Sequence, residues 1–155
     1  MCGKGLSFRL WSMLSTGNPH TDAELAFRRA MRARRRAALL GTLRRSPAPM
    51  LDVVDDRDVL RKRTHLPRGA REIPLDCITA TLEPARAPQF DREFRPARVA
   101  RSRWQRVWMA EHLGRPLPPI SVVRFDDGYA VRDGHHRVSV ARARGAATID
   151  AVEVP

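Results

Sequence analysis

The run Ile120-Ser121-Val122-Val123-Arg124-Phe125, then Asp126-Asp127-Gly128, then Tyr129-Ala130-Val131-Arg132-Asp133-Gly134-His135-His136-Arg137 decides how this chain is read. Two apolar runs flank a short Asp-Asp-Gly turn, the grammar of a β-hairpin. After Asp133-Gly134 the apolar period changes to that of a helix, running from His135 to Arg144, with Gly145 placed to stop it. Ile149 to Val154 then reads as a final strand. Upstream, Ala100, Trp104, Val107 and Trp108 recur at helical spacing, so a helix is expected over Ala97 to Leu113, ended by Gly114 and Pro116. Its tryptophans read as core rather than as stacking platforms. Before it, Pro84, Pro88 and Pro96 break an irregular loop, and Glu72 to Ile78 reads as a short strand entering at Pro74. A loop of that length in a compact domain tends to carry function. The order strand, loop, helix, hairpin, helix, strand, without internal repeat, gives an α+β class.

The first part of the chain differs. The 155 residues suit one ordinary domain, or a small one carrying an extension. Of the net charge of +12, most lies in residues 1 to 70, which hold 15 Lys+Arg against 6 Asp+Glu. Thr21 and Glu24 form a capping-box start, and a helix is expected from Asp22 to Arg45. Ala23, Ala26, Phe27, Ala30, Met31, Ala33, Ala37 and Ala38 share one face, with Arg28, Arg29, Arg32, Arg35 and Arg36 opposite; Arg34, Leu25 and Leu39 break the pattern. That Arg face reads as solvated, as tracking a nucleic-acid backbone, or as lying on an anionic bilayer. A GC-rich coding sequence explains the same arginines without any binding. Ser46 to Arg71, with Pro47, Pro49 and Pro67 and mixed charges around Val53 to Leu60, reads as a linker with one short helix, which sets a boundary near Arg71: an extension over 1–70 and a domain over 71–155.

Cys2 and Cys77 stand far apart without metal-ligand spacing, so neither a disulfide framework nor a metal site is expected. No apolar run is long enough to span a membrane, and Leu6 to Leu14, interrupted by Arg9, does not read as a secretory signal. No membrane partner is expected, and the expected location is the cytoplasm.

The strand-to-helix turn is where chemistry is expected. Free backbone N–H groups and the positive end of the helix dipole converge there, which favours an anion. Gly134 lets the backbone approach a ligand, Arg137 offers a fork to phosphate oxygens, and His135 and His136 add donors that are neutral or charged near pH 7. Asp133 either caps the helix or acts on a bound hydroxyl or a magnesium ion. The histidines as half-buried fillers and Arg137 as a surface ion-pair partner stand as alternatives. Adjacent helical positions diverge by about 100°, so the two histidines do not read as chelating one metal.

Leu117-Pro118-Pro119-Ile120 with the hairpin and the run Tyr129 to Ala141 resembles the nucleotide-binding segment of ParB-like and sulfiredoxin-like domains, and Ile73 to Ile78 is similar to the strand that opens the ParB amino-terminal domain. The resemblance covers about residues 71 to 155 and implies a small mixed sheet with flanking helices, preceded by the basic helical extension. It implies a nucleotide ligand, ATP, ADP or CTP with or without magnesium, held at Gly134, His135, His136 and Arg137. His135 stands where sulfiredoxins carry their catalytic cysteine, so sulfinic acid reduction is not expected. Partition ParB proteins show an acidic residue and two arginines after the glycine and continue into a helix-turn-helix; this sequence has His135, His136 and Arg137, and stops at Pro155, so a DNA clamp of that type is not expected. The Asp133 to Arg137 run is the same as in the free-serine-kinase branch, which implies a catalytic Asp133 and a second acid from the early loop, with Glu83, Asp91 and Glu93 as candidates. Two functions follow: a nucleotide-binding domain acting as a small-molecule kinase or nucleoside triphosphatase, or a non-catalytic, chromosome-partitioning-like regulator that meets DNA through the Arg28 to Arg36 face. A homodimer is left open.

Overall fold

The computed structural model describes residues 15–44, 50–55, 57, 59 and 69–154. In chain order these form helix α1 (Pro19–Leu43), strands β1 (Asp52–Val53), β2 (Ala70–Pro74) and β3 (Ile78–Thr81), helix α2 (Arg101–His112), strands β4 (Ile120–Phe125) and β5 (Gly128–Asp133), helix α3 (His135–Ala143) and strand β6 (Thr148–Glu153). The class is α+β. The six strands make one mixed sheet in the order β1-β3-β5-β4-β6-β2. The β4–β5 hairpin lies at its centre, with Phe125 opposite Gly128 across the Asp126-Asp127 loop. Asp126 takes a left-handed φ of 44°, which a tight hairpin loop demands and which Asp tolerates.

The strand expected over Glu72 to Ile78 is broken. Pro74 ends β2, a 3-10 turn occupies Leu75–Cys77, and β3 begins at Ile78. The turn joins the edge strand β2 to β3, four places away in the sheet. In a flat sheet four steps are about 19 Å, whereas four residues span at most about 14 Å. The sheet is therefore curled, bringing its ends together. Arg142 ties this joint from α3, donating to the carbonyls of Leu75 (2.8 Å) and Ile78 (2.9 Å).

α3 lies between two apolar clusters. Val138 and Ala141 pack with Ile73, Ile78, Phe90, Ile120 and Val131 against the sheet, while Val140 meets Trp104 and Trp108 of α2 and Ala23, Ala26 and Phe27 of α1. The tryptophans are core, as their spacing implies, and Trp104 donates from Nε1 to Ser139 Oγ at 2.9 Å. α1 starts earlier than expected: Asn18 is its N-cap and its side chain accepts from His20 and Thr21, so Thr21 is not the cap. Arg28, Arg29, Arg32, Arg35 and Arg36 are exposed as read. Arg34, the exception, reaches across to the carbonyls of Arg95 and Pro88 at 3.3 Å.

In the stretch read as a linker, Leu51 is buried and β1 pairs in parallel with β3, with Val54 N–H donating to Thr81 O. Most of the short helix expected there, and the Cys2 and Leu6 to Leu14 readings, lie outside the described residues.

Candidate functional site

β5 delivers Asp133 to the sheet's end, Gly134 turns the chain, and α3 starts at His135. Gly134 has φ 106°, a conformation that disfavours an L side chain, and a Cβ built on it would collide with Ile120 of β4. The glycine is thus demanded by close strand–helix packing rather than by room for a ligand. It is also the N-cap, and no side chain caps the helix. Asp133 does not cap, a correction to one reading of the sequence. Its Oδ2 instead accepts from Arg137 at 2.6 Å across one helical turn.

Because Val138 N–H makes the first bond of α3, to Gly134 O, the N–H groups of His135, His136 and Arg137 have no intrahelical acceptor. These three residues line a small cleft of about 50 Å³ together with Arg86, Arg103, Val107, Asp133 and Gly134. Arg86 comes from the 3-10 segment Pro84–Gln89, and Arg103 and Val107 lie one turn apart on α2. Arg103 has no ion-pair or hydrogen-bond partner among the described residues. Neither arginine was singled out in the sequence. Arg103 precedes core Trp104 by one residue, so it flanks the buried face, and that spacing was the available signal.

The two histidines are buried at 4% and 6% exposure. His135 Nε2 lies 2.6 Å from Thr81 Oγ1 on β3 and its ring stacks on Phe90. His136 meets the edge of Phe90 with centroids 5.2 Å apart, and its ring has no hydrogen-bond partner among the described residues. Burial, followed by repulsion from Arg86 and from His136, lowers the pKa of His135 to about 4. Burial, then Arg103, Arg86 and Arg106, does the same for His136. Both rings are therefore neutral at pH 7, able to donate one proton each but contributing no charge. Positive charge at the cleft comes from arginine and the helix end.

Arg137 is more committed than expected of a free fork. It donates to the carbonyls of Pro118 and Pro119 (2.9 Å for the latter) as well as to Asp133, strapping the segment before β4 to the helix start. The three candidate second acids separate clearly. Asp91 is fully buried and builds its own loop, accepting the amides of Glu93 (3.0 Å) and Arg95 (2.8 Å) around a Phe94 held at φ 55°. Glu93 pairs with Arg142 at 2.8 Å. Glu83 is exposed, and its amide donates to Thr81 Oγ1, the hydroxyl that touches His135. Among the described residues no three of His, Cys, Asp and Glu gather as a metal-ligand group. Compared with known proteins, the chain matches no family model, no curated protein and no solved structure.

Proposed function

We propose that the cleft at the start of α3 binds the phosphates of a nucleotide, ATP, ADP or CTP. The observation that carries this is the helix start without a side-chain cap, whose first residues line one cleft with Arg86 and Arg103. Anions bind where free amides, a helix dipole and arginine forks coincide. The buried His136 ring, without a hydrogen-bond partner among the described residues, adds a donor for a phosphate oxygen. The resemblance of the Tyr129 to Ala141 run to ParB-like domains supports the same reading. Gly134 sets the turn, His135 and His136 line the cleft, and Arg137 holds Asp133.

In its enzymatic form, a substrate hydroxyl (kinase) or a water (triphosphatase) bonds the terminal phosphorus as the bond to the departing, one-phosphate-shorter nucleotide breaks, Asp133 accepts the attacking group's proton, and the arginines neutralise the transferred phosphoryl group. Among the described residues Asp133 is the one acidic side chain lining the cleft; where a magnesium ion arrives with the phosphates, Asp133 serves as its protein carboxylate instead of as the base, since such ions take one or two protein carboxylates. A nucleotide ligand fits a cytoplasmic protein, and among the described residues no helix is long and apolar enough to cross a membrane.

Calorimetric titration with ATP, ADP and CTP, with and without magnesium, tests the reading. Binding of at least one nucleotide is expected, weakened on the order of 10-fold to 100-fold by Arg86→Ala or Arg103→Ala, the range for a charge-assisted hydrogen bond. Arg137→Ala, which frees Asp133, weakens binding as well. Absence of heat with every nucleotide refutes the reading. Parallel incubation with magnesium and a panel of hydroxyl metabolites reports turnover, and inertness removes the enzymatic form alone.

A further inference from the structure

A second basic concavity lies away from the cleft. Arg28, Arg32 and Arg35 of α1 share a groove of about 340 Å³ with Arg98, in the 3-10 turn just before α2, and with Arg101, the first residue of α2; Phe27 also lines it. Among the described residues the one carboxylate bonded to these arginines is Glu24, which accepts from Arg28 at 2.7 Å and from Arg101. Arg101 holds that carboxyl below its usual pKa, so it stays ionised. Arg32, Arg35 and Arg98 have no acidic partner among the described residues, and all three are exposed. Gathering unpaired like charges costs self-repulsion, and a polyanion removes that cost.

We propose that this groove seats the phosphate backbone of duplex nucleic acid without reading its sequence. The length fits: Arg28 to Arg35 spans seven residues, about 10.5 Å of helix, over which one strand of a duplex presents about three phosphates. A single strand is disfavoured, because binding one draws on exposed aromatic platforms, and here Phe27 is 1% exposed and lies under Arg101, with Trp104 and Trp108 buried. A bilayer surface is disfavoured because the arginines line a concavity, not the flat face that headgroups present. Leu39, Leu40 and Leu43 are exposed farther along α1, so vesicles belong in the test. The groove is separate from the nucleotide cleft, and the experiment is run without nucleotide so that the two readings stand or fall apart.

Fluorescence anisotropy of a labelled 20-base-pair duplex is followed with the full chain from 25 to 200 mM salt. Each phosphate neutralised contributes about −0.9 to the slope of log K against log salt. Three unpaired arginines give about −2.7 and all five about −4.5. The triple variant Arg32→Gln, Arg35→Gln, Arg98→Gln is expected to lose about 2.7 of that slope, while two unrelated duplex sequences bind alike. Circular dichroism melting establishes that the variant is folded, and substitution at exposed positions leaves the core intact. Absence of duplex binding, an unchanged slope in the folded variant, tighter binding to single strands, or binding to phosphatidylglycerol vesicles in place of duplex each overturns the proposal.

Discussion

Replacing Gly134 by alanine tests the claim that the turn is shaped by packing. The residue sits at φ 106°, where an L side chain costs about 1–2 kcal/mol. The added methyl also enters the volume of Ile120, its Cβ falling 2.8 Å from that of Ile120, and overpacking of this kind costs about 1–3 kcal/mol. Together the penalty is about 2–5 kcal/mol, which for a domain of this size is a drop on the order of 5–20 °C in Tm. Urea denaturation followed by far-ultraviolet circular dichroism measures it. The collision portion is separable, because Ile120→Ala opens the space into which the methyl intrudes. In an Ile120→Ala background the increment from Gly134→Ala should shrink to the backbone part, about 1–2 kcal/mol, a coupling that a double-mutant cycle reads directly. A loss under about 1 kcal/mol for Gly134→Ala alone, or the same increment with and without the Ile120 side chain, would refute the account of the turn.

Acid should act through the two histidines: folded values near 4 lie below the usual 6.5, so as pH falls through 6.5 the unfolded chain gains protons that the native state refuses. Stability then declines from about pH 6.5 towards pH 4, at no more than about 2.7 kcal/mol per pH unit for two protons, and levels as the native rings finally protonate. Comparing urea midpoints of wild type and His135→Gln/His136→Gln between pH 6.5 and 5, above most carboxylate titration, isolates the effect; parallel profiles would contradict it. Thr81→Val removes the partner of a buried imidazole nitrogen 2.6 Å away and should cost about 1–3 kcal/mol, read by denaturation at pH 7. Phe27→Ala empties a site 1% exposed whose ring meets Trp104 edge-on at 5.5 Å. A loss of about 3–5 kcal/mol is expected, with a changed near-ultraviolet tryptophan signal; retention of that signal would mean α1 is not anchored by this ring.

Local pattern carried the elements whose partners are close in sequence. The hairpin, the helix after it and its stop were legible because period and turn chemistry act within a few residues, and Gly145 does follow the helix with φ 71°. β1 was not legible, since two residues hold no period and their strand character comes from β3, almost thirty positions later. The break at Leu75–Cys77 was hidden for a related reason: sheet curvature is a property of all six strands, and Leu75 reads as any buried apolar residue. The turn was found as a turn, but its capping was misread because Asp133 had a stronger competitor for its carboxylate, Arg137 one turn on. Arg86 and Arg103 come from two other elements, and only the fold brings them together.

The arginine content itself can now be divided by what each side chain touches, which composition could not do. Arg34, Arg95, Arg137 and Arg142 are ties that satisfy backbone carbonyls or buried carboxylates. A coding bias alone predicts that the remaining ones are dispersed. Around α2 they are instead sorted by helical angle: Arg101 and Gln105 turn towards Glu24 of α1, Arg103 and Val107 turn towards the start of α3, and Trp104 and Trp108 fill the face between. One helix thus sets the separation of the two basic concavities, and its two tryptophans, packed on Phe27 and Val140, keep α1 and α3 in register with each other. A core substitution at Trp104 would therefore disturb both surfaces together, whereas Arg103→Ala and Arg98→Gln each alter one. That difference separates two independent binding surfaces from a single diffuse basic field, for which loss of either arginine would weaken binding at both.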